Sequence, residues 1–240
     1  MSSMKNSEKQ IVSIQQFKIP VSISRIDLEK VNCYLIETEK GFILIDTGFT
    51  KNRSKIDAFL SNKGITPENQ RLKLILLTHG DFDHTGNAKY LKEKYNSEIA
   101  LHNDDIGMVE HGDITWNRNM NVFLRILGKL MTILLGMQLK KEDRFLPDIV
   151  LENEQKLDEY GLSAQIISLP GHSKGSVGVL TEDGHFFCGD ILENIEQPDQ
   201  AKMVSDKDDM LQSVEKISSL EFKYVYPGHG KPFEKKELQL

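Results

Sequence analysis

Apolar residues recur along the first part of the chain in short runs broken by polar turns. Residues 11–45 read as several short strands, and Val31-Asn32-Cys33-Tyr34-Leu35-Ile36 and Gly41-Phe42-Ile43-Leu44-Ile45, separated by polar positions 37–40, predict a hairpin. Asp46-Thr47-Gly48 ends the second run, and apolar residues at 56, 59 and 60 then predict a helix over 53–60. Leu72-Lys73-Leu74-Ile75-Leu76-Leu77 is almost continuously apolar, as expected of a strand covered on both faces, and it stops at Thr78-His79. A helix is predicted over 87–94 and strands over 98–102, 164–169, 177–181, 185–188 and 223–226, with Asp183-Gly184 as a hairpin turn.

Residues 116–155 break this rhythm and are expected to form a helical insertion. Within them, apolar residues at 123, 127, 130, 134 and 137 beside a narrow stripe of Arg125, Lys129 and Thr132 predict an amphipathic helix over 122–139. Its charges come too early for a membrane span of about 20 residues. Three fates are open to such a helix: packing on the core, capping an active-site cleft, or docking on a lipid surface or a second subunit. The sharpest expectation is a lid that lines an apolar substrate pocket.

Composition narrows the function classes. At 240 residues the chain is expected to form one domain, 1–240, with no internal repeat. A hydrophobic fraction of 39% and a charged fraction of 28% belong to an ordinary globular protein. Thirty Lys and Arg against 36 Asp and Glu leave a formal charge of −6, which offers no general attraction to phosphate backbones, so no nucleic-acid partner is expected. Cys33 and Cys188 both sit in apolar runs and cannot form a disulfide framework, and residues 1–10 are polar and unlike a secretory signal. A cytoplasmic setting is expected.

The candidate chemistry lies where strands stop. His79 follows one apolar run, His172 follows Ile166 to Gly171, Asp190 follows Phe186 to Gly189, and His229 follows Tyr224 to Gly228. Loops held at the ends of a rigid sheet are where binding groups are best fixed and exposed, and the glycines at 171, 189 and 228 permit the sharp turns such loops need. In Thr78-His79-Gly80-Asp81-Phe82-Asp83-His84-Thr85-Gly86, His79, Asp81, Asp83 and His84 fall within six positions, a density that a divalent cation explains. Imidazole suits zinc and iron while carboxylate suits harder ions, so zinc is the default, with iron and manganese open.

In these residues the chain resembles the metallo-β-lactamase-fold hydrolases, whose Thr-His-x-His-x-Asp-His motif is followed by a His, an Asp and a His at later strand ends. Asp46-Thr47-Gly48, Pro170-Gly171-His172-Ser173, Gly189-Asp190 and Pro227-Gly228-His229-Gly230 match in order. The resemblance implies an α/β fold, a four-layer αβ/βα sandwich with two metal ions at one edge. It implies that His79, residue 81 and His172 hold a first ion, that Asp83, His84 and His229 hold a second, and that Asp190 bridges them. It also implies a metal-activated water, with Asp83 as the catalytic acid-base group.

One position departs from the pattern: Asp81 stands where the family usually has a histidine, and its negative charge favours harder ions or iron. A carboxylate there is similar to the diiron oxidoreductase branch of the fold. Asp46 is expected to hold the loop by hydrogen bonds, Cys188 to be inert packing, and His102, His111 and His185 to have no role. The resulting expectation is hydrolysis of an ester, lactone, thioester or amide in a small-molecule substrate with an apolar acyl part. The alternatives are a phosphodiesterase, an iron-dependent oxidoreductase, or a non-catalytic metal-binding module; peripheral membrane contact and a homodimer are the further partner expectations.

Overall fold

The computed structural model describes residues 21–118 and 120–238, so the strand content expected within 11–20 lies outside the described residues. The predicted hairpin is present: β2 (Asn32–Thr38) and β3 (Gly41–Ile45) are antiparallel, and Thr38 opposite Gly41 leaves a two-residue turn. β1 (Ser22–Asp27) pairs antiparallel with the other side of β2. Beyond β3 the sheet becomes parallel through β4 (Leu72–Leu76), β5 (Glu98–His102) and β6 (Ile149–Leu151), giving six strands in sequence order. Parallel strands need crossovers, and α1 (Arg53–Asn62) and α3 (Ala88–Tyr95) supply the first two.

A second sheet of five strands has the order β13-β12-β9-β8-β7, from β7 (Ala164–Ser168), β8 (Val177–Thr181), β9 (His185–Gly189), β12 (Tyr224–Pro227) and β13 (Phe233–Glu234). The helix α6 (Lys207–Ser219) connects back to β12, which runs parallel to β9; β10 (Leu192–Asn194) and β11 (Pro198–Gln200) form a separate ribbon.

Burial on both faces of each sheet explains the near-continuous apolar runs. In β2, Cys33 and Leu35 pack with the helical side, alongside Leu60 and Leu91, while Tyr34 and Ile36 pack toward the second sheet with Ile166 and Val179. A third cluster joins Phe186, Cys188 and Val225 to Met210 and Ile217 of α6. Three apolar layers separate helix, sheet, sheet and helix, which is the four-layer αβ/βα sandwich expected.

The segment 116–155 differs from the helical insertion expected. It contains α5 (Val122–Leu134) and also β6, which extends the first sheet beside β5. Together with α4 (Ile106–His111), α5 thus belongs to a β5-to-β6 crossover. The helix is also shorter than predicted. Asn121 caps its start by accepting from the Leu124 amide, and Gly136, at φ 68°, ends it in a left-handed turn with Met137 N–H returning to the Thr132 carbonyl. Periodicity runs on to Met137 because apolar residues continue past the backbone stop.

Candidate metal centre

The strand ends converge. The parallel direction of β3 and β4 brings Asp46 and His79 to one rim of the first sheet, and β9 parallel to β12 brings Asp190 and His229 to the matching rim of the second. His172 joins them from the loop between β7 and β8, while the short helix α2 (Phe82–Thr85) carries Asp83 and His84.

Every one of the four histidines is anchored through Nδ1. His84 Nδ1 lies 2.9 Å from Asp46 Oδ2, His172 Nδ1 2.9 Å from the Met203 carbonyl, His79 Nδ1 3.0 Å from Thr78 Oγ1, and His229 Nδ1 contacts the Lys30 carbonyl. A carbonyl only accepts, so at His172 and His229 a proton sits on Nδ1 and Nε2 is the atom turned toward the cluster, free to ligate once it is deprotonated. Asp46 does more than hold its loop. Its Oδ1 accepts from the Thr78 amide at 2.8 Å, and its Oδ2 from the Thr78 hydroxyl at 2.8 Å and from His84.

The four Nε2 atoms surround one carboxylate oxygen. Asp190 Oδ2 lies 3.0 Å from His229, 3.4 Å from His84, and 3.8 Å from both His79 and His172. Asp83 Oδ2 is 3.6 Å from His229 Nε2 and 3.9 Å from His84 Nε2. Tetrahedral coordination at about 2.1 Å separates neighbouring ligand atoms by about 3.4 Å, so these spacings fit cations held between the side chains. Two groups of ligand atoms result, His79 with His172 and Asp190, and Asp83 with His84 and His229. A second observation supports the fit: His79 Nε2, His84 Nε2 and Asp190 Oδ1 are buried with no hydrogen-bond partner among the described residues. Buried polar atoms rarely stay orphaned without an ion or water to satisfy them.

The electrostatics run the same way. Burial, reinforced by His84, holds the His79 imidazole well below its usual range and therefore neutral. Burial alone would raise the Asp190 carboxyl, but His84 and His229 hold it well below the usual carboxylate range. At His229 burial is opposed by Asp190, and the imidazole is pushed up to about 9; at His84 the carboxylates of Asp190, Asp46 and Asp83 likewise prevail over burial. The charge that raises these imidazoles is the charge that draws a cation, so binding one releases protons. Gly228 leaves the needed room, since a Cβ there would stand 2.1 Å from Asp190 Oδ1.

Asp81 is placed differently from its neighbours. Its Oδ2 lies 3.1 Å from His172 Nε2 and 3.7 Å from His79 Nε2, beside the first group, yet both its oxygens also sit 2.8 Å from Nη2 of Arg118. The same guanidinium donates to the His172 carbonyl and to Ser205 Oγ. Burial would raise the Asp81 carboxyl, but Arg118 overrides it and holds it far below the usual range. Sequence reasoning missed Arg118, because nothing in the motif spacing points 37 residues downstream; the one available signal was an extra buried charge in need of a counter-ion.

Asp105 was missed for the same reason. Fully buried, it accepts from the Gly80 amide at 2.8 Å, the Gly175 amide at 2.9 Å, Ser173 Oγ at 2.6 Å and Asn117 Nδ2 at 2.6 Å, tying the His79 loop to the His172 loop. Asp105→Ala strands these donors in the interior and is expected to cost about 3–5 kcal/mol, measured by urea unfolding. An unchanged midpoint would show that the two loops hold their places without it.

The remaining histidines, expected to have no role, stand outside the cluster. His102 accepts from the Asp104 amide, His111 packs on Trp116 with ring centres 3.9 Å apart, and His185 bonds the Tyr226 hydroxyl. Cys188 is buried and its thiol is pushed up, chiefly by burial, which makes it inert. A cleft of about 930 Å³ opens over the cluster, with Asp81, Asp83, His172, Asp190 and His229 at its floor and Phe49, Phe82, Ile114, Met137, Ile195 and Met203 on its walls. No residue of α5 lines it; of the segment 122–139 expected to form a lid, Met137 reaches the cleft wall, as does the preceding Ile114.

With this geometry in place, comparison with known proteins decides the family. The family model described as the metallo-beta-lactamase superfamily matches residues 26–229. The chain belongs to that superfamily.

Among curated relatives it is 23% identical over 249 residues to the probable metallo-hydrolase YflN of Bacillus subtilis, covering 93% of this chain and 89% of that one. It is 32% identical over 169 residues to the hydroxyacylglutathione hydrolase GloC of Haemophilus influenzae, covering 67% of this chain and 66% of the other. Of solved structures, TTHA1623 in a di-iron-bound form superposes with a TM-score of 0.67 at 27% identity, covering 89% of this chain and 94% of that chain. As a superfamily member with metallo-hydrolase relatives, the protein is a metal-dependent hydrolase.

Proposed function

We propose that the chain acts as one domain that holds two divalent cations, the first on His79, His172 and Asp81, the second on Asp83, His84 and His229, with Asp190 between them. The substrate class is a small carboxylic ester or thioester with an apolar acyl group; lactones and amides offer the same acyl chemistry. The convergence of four Nε2 atoms on Asp190 Oδ2 carries the metal reading. The apolar walls of the cleft and the hydroxyacylglutathione hydrolase relative support the acyl reading.

When bound, the cations supply hydroxide at neutral pH and polarise the scissile carbonyl. The chain's own groups do the rest. Four anchored imidazoles fix the ligand geometry, Phe49, Phe82, Ile114 and Met137 exclude water from the acyl group, and Asp83 receives the proton of the attacking water and returns it to the leaving group. Burial, helped by Asp190 and Asp81 and opposed by His84, raises the Asp83 carboxyl, which favours that proton exchange.

Zinc is the default occupant. The Asp81 carboxylate beside His79 and His172 favours iron as a second reading, and with it an iron-dependent oxidoreductase. Free, buried Cys33 and Cys188 fit the reducing, cytoplasmic setting expected from the sequence.

Elemental analysis joined to an assay of nitrophenyl esters of rising acyl length, a thioester and a nitrophenyl phosphodiester tests these readings together. Two equivalents of metal and a kcat/KM that climbs with acyl length, lost on chelation and restored by zinc, are expected. Turnover of the phosphodiester alone would overturn the acyl assignment. Stoichiometric iron with oxygen-dependent activity and no ester hydrolysis would move the protein to the oxidoreductase reading.

A further inference from the structure

The helix α5 is mounted with its polar side inward. Arg125, Gly128, Lys129 and Thr132 form one stripe along it, and that stripe meets the body: Lys129 Nζ pairs with Asp113 Oδ2 at 2.9 Å, Arg125 donates to the Arg118 carbonyl, and Gly128 lies against Met120 and Thr115. Thr132 is the one buried residue of the helix. The opposite face, at the positions farthest from this stripe, is Phe123, Leu127, Leu130 and Leu134, and all four are turned to solvent, Phe123 and Leu134 by 74% and 73%. An amphipathic surface helix ordinarily does the reverse. A contiguous exposed apolar face of this kind marks a surface that is covered in use.

Charge decides what covers it. Residues 114–141 contain five basic residues and no acidic residue, in a chain whose formal charge is −6. Arg118 and Lys129 are paired with Asp81 and Asp113, which leaves Arg125, Lys140 and Lys141 without a carboxylate partner among the described residues. Two copies would bring like-charged segments together, whereas anionic headgroups meet an apolar ridge flanked by cations with both terms favourable. The surface also leads to the cleft. Through Gly136 the chain passes from the helix to Met137 on the cleft wall, where Ile195 and Met203 are exposed as well. No helix of the described residues is long and apolar enough to cross a membrane, so contact would be at the surface.

We propose that α5 docks this protein on an anionic lipid surface, with Phe123, Leu127, Leu130 and Leu134 inserted among the acyl chains and Lys140 and Lys141 on the headgroups. Because Met137 on the cleft wall follows closely after α5 in the chain, docking would bring that wall near the bilayer, where an apolar acyl substrate would be concentrated. The surface stands independently of the catalytic reading, because lipid binding needs no turnover.

Flotation of the full-length protein with vesicles containing about 30% phosphatidylglycerol in phosphatidylcholine tests this. The wild type is expected to float with these vesicles and to bind pure phosphatidylcholine at least about 10-fold more weakly, with binding that declines as salt rises. F123S/L127S/L130S should lose about 30-fold or more in partitioning, and K140A/K141A about fivefold per charge, while both keep wild-type thermal unfolding. Absence of flotation at low salt, or equal flotation by the triple serine variant, would overturn the proposal. So would a wild-type dimer that the same triple substitution splits, since a second copy would then cover the face.

Discussion

Replacement of Asp190 by alanine is expected to lower kcat/KM by about 10³-fold or more, roughly 4 kcal/mol of transition-state stabilisation. No other side chain can substitute for it. Its Oδ2 is the point on which all four imidazoles converge, at 3.0 to 3.8 Å, so its removal leaves four imidazole nitrogens around a void and one negative charge fewer to hold the two cations proposed. Metal content should fall in the same preparation, below two equivalents by elemental analysis. Asp190→Asn keeps the shape without the charge, and it separates the two contributions: retained metal with lost turnover assigns the loss to charge at the reacting centre. An alanine variant that keeps both metals and more than about a tenth of the activity would disprove the bridging role.

Arg118→Ala is expected to be nearly as damaging, through a different route. Asp81 is 5% exposed and bonded through both oxygens to Arg118, so the substitution leaves a buried carboxylate without its counter-ion. Breaking a buried pair from one side costs about 3–5 kcal/mol, or roughly a 10 °C fall in Tm for a domain of this size, best measured on protein stripped of metal by a chelator.

The sign of the pH dependence follows from the depressed Asp81 carboxyl. The pair's contribution is fully present above the ordinary aspartate pKa, about 3.9, and is lost as pH falls toward the lower folded value, so wild type and variant should converge only in acid. The double variant R118A/D81H should recover most of the loss, because a neutral imidazole needs no counter-ion. A single variant within about 2 °C of wild type at neutral pH would show that solvent or His172 already neutralises Asp81.

These two variants probe residues of different legibility. Asp190 stood out in the sequence because it ends an apolar strand, as do His79 and His229, and a strand-end polar residue followed or preceded by glycine is a local signal. Arg118 gave no such signal. It lies 37 residues from Asp81, in a stretch whose only pattern is apolar periodicity, and its role exists only because the β5-to-β6 crossover folds back over the His172 loop. Asp105 is the same case, since its four donors come from residues 80, 117, 173 and 175.

Sequence alone was enough for strands covered on both faces, the hairpin, and the side chains at the strand ends, since continuous apolar runs and strand termination are properties of neighbouring residues; the four-layer arrangement was implied by the family resemblance. Tertiary structure decided which cation answers Asp81, which carboxylate ties the loops together, and which way α5 faces. Helical periodicity establishes that Phe123, Leu127, Leu130 and Leu134 share a side, but the side that meets the body is set by the chain on either end of the helix. Here Lys129 on Asp113 and Arg125 on the Arg118 carbonyl turn the polar stripe inward and leave the apolar one outside.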